Sequence, residues 1–241
     1  MSATLTGEGL SQRFGAVQVL HDVDFTVGQD EAVGIVGPNG AGKTTLLNVL
    51  TGTLRPSAGT ISLDGEDVTK LPPERRCRLG IGRAFQVPRP FGGMTVLENV
   101  LVGATYGAGL KQSRAYERCV EVLDLCGLVD LANRRADNLG LLHRKRLELA
   151  RALATGPRVV LLDEIGGGLT DAEAAELVTT IKEIRGQGIG IVWIEHIVHV
   201  LVQVVDRLVC MANGRVIADG PPHDVLNDAT VIDAYLGKAA S

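Results

Sequence analysis

The sequence predicts an α/β fold with an N-terminal antiparallel β portion and an inserted helical subdomain. Three observations predict it. Apolar, β-branched runs at 32–36, 158–162 and 190–194 have the length and character of buried parallel strands. Helical patterns at 44–51 and 171–185 alternate with them, as strand-helix-strand units require. From about Thr95 to Asn138 the pattern is helical alone and interrupts that alternation.

The elements follow in order. Residues 16–28 alternate apolar and polar positions and read as a strand. The run 32–36 ends in glycines, so a buried strand is expected to feed a turn and then the helix at 44–51. A second strand-like stretch, Thr60 to Leu63, closes at the turn Asp64-Gly65. In the middle, Tyr116, Cys119, Val120, Leu123 and Cys126 have helical spacing and predict one buried face. Leu208 to Met211, a turn at Ala212-Asn213-Gly214, and Arg215 to Ala218 read as a hairpin, followed by two short helices. No internal repeat or low-complexity tract appears.

Composition bounds the function. With 241 residues and 45% apolar content the chain can bury one sizeable core. A net charge of −4 and a pI near 5.8 argue against a nucleic-acid partner, which calls for a basic face. Aromatic content of 3% argues against base-stacking platforms. Cys77, Cys119, Cys126 and Cys210 have no metal-ligand spacing and are expected to be reduced core thiols, as in a cytosolic protein. The first ten residues lack the basic start and apolar core of a signal peptide. No apolar run reaches the length of a membrane helix.

Gly37-Pro38-Asn39-Gly40-Ala41-Gly42-Lys43-Thr44 fits G-x4-GK[ST]. Glycines let the backbone wrap closely around phosphate with its N–H groups inward. The helix that follows offers its positive N-terminus to the same anion. Lys43 is suited to the β and γ phosphates, and the Thr44 hydroxyl to Mg2+. The run Val159 to Leu162 ends in Asp163-Glu164. Beside a nucleotide, Asp163 can hold Mg2+ and Glu164 can polarise the attacking water. Alone, Gln86 reads as a solvated residue. His196 and His199 read as surface residues or an incomplete metal pair, and Phe14 reads equally as core.

The order and spacing of these motifs resemble the ATP-binding subunit of ABC transporters over nearly the whole chain. The resemblance implies a P-loop NTPase core of the ABC type, at about 1–90 and 145–241, with a helical subdomain at about 91–144. It implies ATP and Mg2+ as cofactors. Gly37 to Thr45 match the Walker A loop, and Asp163 with Glu164 match Walker B and the catalytic glutamate. Gln86, in GRAFQVPRPF, matches the Q-loop glutamine that senses Mg2+ and γ-phosphate; with Thr44 and Asp163 it completes the implied metal set. His196, in WIEHIVHVL, matches the switch histidine. Phe14, in SQRFGAV, stands where the family places an aromatic under adenine. Within the family, FGGMTVLENVLVGA and the ending VIDAYLG are similar to subunits of branched-chain amino acid importers.

That resemblance implies ATP hydrolysis coupled to uptake through membrane-spanning permease subunits. The site of action would be the cytoplasmic face of the membrane, with an external solute-binding protein as an indirect partner. Val87-Pro88-Arg89-Pro90-Phe91 is a candidate contact for those subunits. A soluble ABC-type ATPase acting on DNA or ribosomes is the alternative, but coiled-coil inserts, fused units and a basic surface are not visible. The guanine-reading NKxD of a GTPase is absent.

One stretch departs from the pattern. The family signature, LSGGQ or a near variant, falls on Leu139-Gly140-Leu141-Leu142-His143. Gly140 lacks the serine hydroxyl, and a branched Leu142 replaces the second glycine, where its side chain is expected to obstruct nucleotide. Ile165 replaces a proline, and Thr170 replaces the D-loop aspartate. The signature acts in trans, on nucleotide held by a second ATPase subunit. The expectation is therefore an asymmetric heterodimer with one slow site. The alternative is a tolerated variant, in which the helix from about Arg144 still supplies the anion contact through its N-terminus.

Overall fold

The computed structural model describes residues 3–236. The chain opens with two long antiparallel strands, β1 (Ala3–Phe14) and β2 (Val17–Gly28). Next come β3 (Ala32–Val36), the glycine-rich loop, and α1 (Lys43–Leu50). β4 (Ala58–Leu63) and the two-residue β5 (Glu66–Asp67) join the first pair in a four-stranded sheet of order β2-β1-β4-β5. Asp64 and Gly65 both take positive φ, as the tight turn between β4 and β5 requires. The N-terminal antiparallel portion is thus present, and β1, as long as β2 at 12 residues, is a strand that periodicity does not reveal. Gly7 and Gly9 interrupt its alternation, and its register with β2 shifts at several points.

The chain continues through α2 (Pro73–Leu79) and β6 (Ile81–Ala84), then α3 (Val96–Val102), α4 (Gln112–Leu125) and α5 (Leu141–Ala154). It returns through β7 (Val159–Asp163), α6 (Asp171–Arg185), β8 (Gly190–Ile194) and α7 (Val198–Leu201). The hairpin β9 (Arg207–Ala212) and β10 (Arg215–Gly220) precedes α8 (Pro222–Leu226) and α9 (Ala229–Leu236). The second sheet has six strands in the order β10-β9-β3-β8-β7-β6. All neighbours except the β9–β10 hairpin are parallel.

Why the core strands read as continuous apolar runs is now clear. Both faces of the six-stranded sheet are covered. Val33, Ile35, Leu161 and Val192 pack toward α1 and the four-stranded sheet. Val36, Val160, Leu162 and Trp193 pack toward α5 and α6. Each fully buried Leu, Ile or Val contributes about 1.5–3 kcal/mol. Cys119, Cys126 and Cys210 lie in the second of these cores, and all four thiols are free.

The helical stretch is more broken than its pattern predicts. A π-helical turn (Gly103–Gly107) follows α3, and 3-10 turns at Val129–Leu131 and Ala136–Asn138 separate α4 from α5. The predicted face of α4 is also corrected. Cys119, Leu123 and Cys126 are buried, but Tyr116 and Val120 are 52% and 58% exposed. Ala115 and Val122 take the inward positions instead. Large residues made the stripe look one position wider than it is.

One buried cation braces the nucleotide helix. Arg76 of α2 is fully buried with no carboxylate in contact among the described residues. Its guanidinium donates to Val49 and Leu50 carbonyls at 2.8 Å each, to Thr69 at 2.9 Å and to Leu71 at 3.1 Å. The first two lie at the C-terminal end of α1, where Val49 O also accepts from Gly52 N–H at 3.2 Å and Leu50 O has no backbone donor among the described residues. Burial pushes the Arg76 pKa down to about 10, with the Asp67 charge acting in the opposite sense. Arg76→Met strands the Leu50 carbonyl in the interior and strips the Arg76 contacts from the other three. A loss of about 3 kcal/mol in urea unfolding is expected; a loss below 1 kcal/mol would show that α1 does not need this brace.

Candidate active site

The parallel strands point their C-terminal ends at one edge of the sheet, where ligands bind in open α/β folds. The glycine-rich loop leaves β3, His196 follows β8, Glu164 follows β7, and Gln86 follows β6. Since these strands are consecutive in the sheet, four loops distant in sequence become neighbours.

The loop 37–42 is fixed by its surroundings. Gly37 has φ 145°, and a Cβ there would sit 2.1 Å from the Met211 carbonyl oxygen. Gly42, the N-cap of α1, has φ 100°, and a Cβ would press on Leu20 and on the Val19 carbonyl. Gly214, in the β9–β10 turn, donates to Ala41 O at 3.1 Å and accepts from His21 N–H at 2.9 Å. The loop is thereby pinned between β2 and that hairpin. Val19, residues 39–45 and Glu164 line a cavity of about 230 Å³. Lys43 is buried, and its ammonium donates to the carbonyls of Gly37 at 2.6 Å and Pro38 at 3.1 Å. Burial lowers its pKa, while the Glu164 and Asp163 carboxylates act against that shift.

Glu164 is the hub of the acidic side. Its Oε2 accepts from Gln86 Nε2 at 2.5 Å, and its Oε1 lies 2.7 Å from His196 Nε2. Its backbone has φ 48°, a left-handed conformation that is strained for a non-glycine residue. Asp163 completes β7 and is buried. The hydroxyl of Thr44 and the carboxylate of Asp163 are hard oxygen donors, and the loop supplies N–H groups at a helix N-terminus. This donor set suits Mg2+ together with a polyphosphate.

Sequence reasoning missed a partner of Asp163. Arg83, on β6, donates to Asp163 Oδ2 at 2.6 Å and to Asn48 Oδ1 of α1, also at 2.6 Å. Its guanidinium stacks 4.6 Å from the centroid of the exposed Phe85 ring. The signal was available: Arg83 is the one charge in the apolar tetrapeptide of β6. Phe14 ends β1 with its ring half exposed and is not among the residues lining the phosphate cavity. His199 joins no cluster of three or more metal-ligating residues among the described residues.

The signature segment differs from expectation. α5 begins at Leu141, three residues before the predicted start, with Gly140 as its N-cap. Helical geometry turns Leu142 inward, where it is 7% exposed, while Leu141 is 44% exposed. Leu142 therefore packs into its own chain while Leu141 faces outward, since consecutive helical side chains point in different directions. Leu139 is buried and Gly140 is exposed. His143, in the first turn, is partly exposed. Thr170, read as a departure, caps α6: its hydroxyl accepts from Glu173 N–H at 3.3 Å, and Glu173 Oε2 accepts from Thr170 N–H at 2.9 Å. Ile165 is fully buried.

The sheet order, the pinned glycine-rich loop and the Glu164 hub define an ABC-type ATPase. The chain belongs to the ABC transporter family, which matches residues 20–166. A second family, described as branched-chain amino acid ATP-binding cassette transporter, matches residues 215–241. Gly237, which closes the VIDAYLG ending, lies outside the described residues together with the rest of that tail. The chain is 38% identical to the high-affinity branched-chain amino acid transport ATP-binding protein LivG of Salmonella typhimurium, covering 98% of each chain. It is 34% identical to the lipopolysaccharide export system ATP-binding protein LptB of Haemophilus influenzae, covering 97% of each. Among solved structures, the ADP conformation of MJ1267, an ATP-binding cassette of an ABC transporter, superposes with a TM-score of 0.91. It is 31% identical, covering 99% of this chain and 100% of that one.

Removing Arg83 leaves the buried Asp163 carboxylate with no ion-pair contact among the described residues. Arg83→Met is expected to cost about 3–5 kcal/mol in urea unfolding, and Arg83→Lys clearly less. Equal losses in the two variants would show that shape rather than charge holds this pair.

Proposed function

We propose that the chain is the ATP-hydrolysing subunit of a transporter that takes up branched-chain amino acids. The observation that carries the solute reading is the family match at 215–241. Whole-chain similarity alone does not separate uptake from export, because relatives of both kinds align along nearly the full length. No helix among the described residues is long and apolar enough to cross a membrane. Membrane-spanning permease subunits would form the pathway, with the chain held at the inner face and an external solute-binding protein delivering the solute. The domain reading is a core at about 1–90 and 145–241 with a helical subdomain at about 91–144.

The residues divide the work. ATP with Mg2+ supplies the transferable γ-phosphoryl group and the cation that neutralises it. Lys43 gives up the Gly37 and Pro38 carbonyls and donates to phosphate oxygens. Backbone N–H groups of Asn39 to Thr45 cradle the same anion, and Thr44, Asp163 and Gln86 face the cation. Phe14, at the rim of β1, is free to stack on adenine. Glu164 is the base that polarises water. Gln86 and His196 each hold one of its oxygens, and the second lone pair of each oxygen is left to accept from water. Turned away from Glu164, His196 is free to donate to the transferring phosphate.

The same structure supports a contact in trans. The N–H groups of Leu141, Leu142 and His143 head a helix of 14 residues with no acidic residue in its first turn. Such a terminus binds phosphate without a serine hydroxyl. With Leu142 turned inward, the segment 139–143 favours a working variant over one defective site. A second ATPase subunit completes the site; with the segment 139–143 in working order a second copy of the chain can serve, in place of the heterodimer partner expected from the sequence. Val87 and Phe91 are exposed, and the Phe91 ring is braced by Arg151, whose guanidinium lies 4.9 Å from its centroid. This stretch is the proposed contact for the permease.

Phosphate release by the purified chain tests the enzyme reading. Glu164→Gln is expected to slow hydrolysis by at least about 100-fold while ATP affinity is retained. Lys43→Ala is expected to lose ATP binding itself. Uptake of labelled leucine by cells carrying the assembled transporter should disappear in both variants. Unchanged hydrolysis in Glu164→Gln would remove Glu164 from the role of base. Intact leucine uptake in both would move the solute elsewhere.

A further inference from the structure

A buried acid that the mechanism above does not use sits against the hub. Glu195 stands between the end of β8 and His196 and is only 2% exposed. Its carboxylate is divided between two backbone groups. Oε2 accepts from Gly166 N–H at 2.9 Å, and Oε1 accepts from His196 N–H at 2.9 Å. Taking a carboxylate out of water is costly unless hydrogen bonds and a counter-charge replace its hydration. Both are present. Lys145 of α5 is likewise buried; desolvation lowers its pKa, and the Glu195 and Glu164 carboxylates act in the opposite sense.

The two clasped groups are not arbitrary. Gly166 lies two residues after Glu164, in the turn that must hold Glu164 at φ 48°. The Glu164 N–H donates to Ile194 O at 2.9 Å, so the turn is anchored to the exit of β8 at both ends. A Cβ at position 166 would lie 2.7 Å from Glu195 Oε2, so glycine leaves the acid room to reach the amide. His196 N–H is held by the other oxygen of the same carboxylate.

We propose that Glu195 is a positioning residue for hydrolysis, clasping the Gly166 and His196 backbones and thereby fixing the two side chains that act on the attacking water. The proposal rests on the roles given above to Glu164 and His196. A clasp that served only folding would change stability and nucleotide affinity together with turnover. A positioning clasp changes turnover selectively.

The test combines amide hydrogen exchange with kinetics on the full chain. In Glu195→Gln an amide nitrogen replaces one acceptor and cannot serve both N–H groups. Exchange across 164–170 and at His196 is expected to quicken at least tenfold, with the strands β3 and β7 unchanged. kcat is expected to fall at least tenfold, with the Kd for ATP within twofold of wild type. Glu195→Asp, which keeps both acceptor oxygens, should recover part of kcat. Gly166→Ala disrupts the same contact from the other side and carries the test if Glu195→Gln does not fold. Because both break one contact, the double variant should be no slower than the slower single variant. Wild-type kcat in both singles, a parallel loss of ATP affinity, or multiplicative losses in the double variant would overturn the proposal. If the wild-type chain hydrolysed no ATP, the enzyme reading would fall. The exchange data would still decide the clasp, and unchanged exchange at 164–170 in Glu195→Gln would refute it.

Discussion

The carboxylate of Glu164 is shared between two side chains that arrive from opposite sides. Gln86 comes from the end of β6 and His196 from the end of β8, and the strand between them, β7, carries Glu164 itself. Three loops therefore meet on one acid. That meeting depends on strand order: with any other neighbour for β7, one of the two contacts would be out of reach. It also depends on backbone strain, because Glu164 reaches both partners from a left-handed conformation. The surrounding clasp, from Ile194 O to Glu195, holds that strain in place.

The phosphate side is organised by packing rather than by charge. Gly37 and Gly42 are required less by the ligand than by the close approach of Met211, Leu20 and Val19. The loop is shaped by these contacts, and Lys43 donates to two of its carbonyls. Arg76 and Arg83 tie α1 to its neighbours, the first through carbonyls at the helix end and the second through Asn48 and Asp163. Movement of α1 is thus coupled to the carboxylate proposed to face Mg2+.

Much of this was legible in the sequence, for identifiable reasons. Buried parallel strands such as β3, β7 and β8 are apolar on both faces, so they stand out as runs. The glycine-rich loop is legible because a phosphate cradle needs particular residue types at fixed spacing. Short or irregular elements were not legible: β1 is broken by glycines, β6 has only four residues, and α2 gives too little periodicity. On α4, Tyr116 and Val120 carried a hydrophobic signal and lie outward. Motif alignment names Leu139 to His143 but gives no side-chain directions, because it carries no helix phase. Starting α5 at Leu141 turns Leu142 inward and makes Gly140 an exposed cap. Arg83 and Glu195 were missed for a different reason. Their partners are 80 and 29 residues away, and only the fold brings them together.

The central claim is that the chain's nucleotide loop and its α5 terminus are two halves of one site, brought together when chains meet head to tail. Light scattering of purified Glu164→Gln with Mg-ATP tests it most directly, because slow hydrolysis preserves the closed state. The account predicts a species of twice the monomer's 25.5 kDa with ATP, and monomer with ADP or without nucleotide. A chain that binds ATP yet stays monomeric would contradict it, and would favour a different subunit as the required partner.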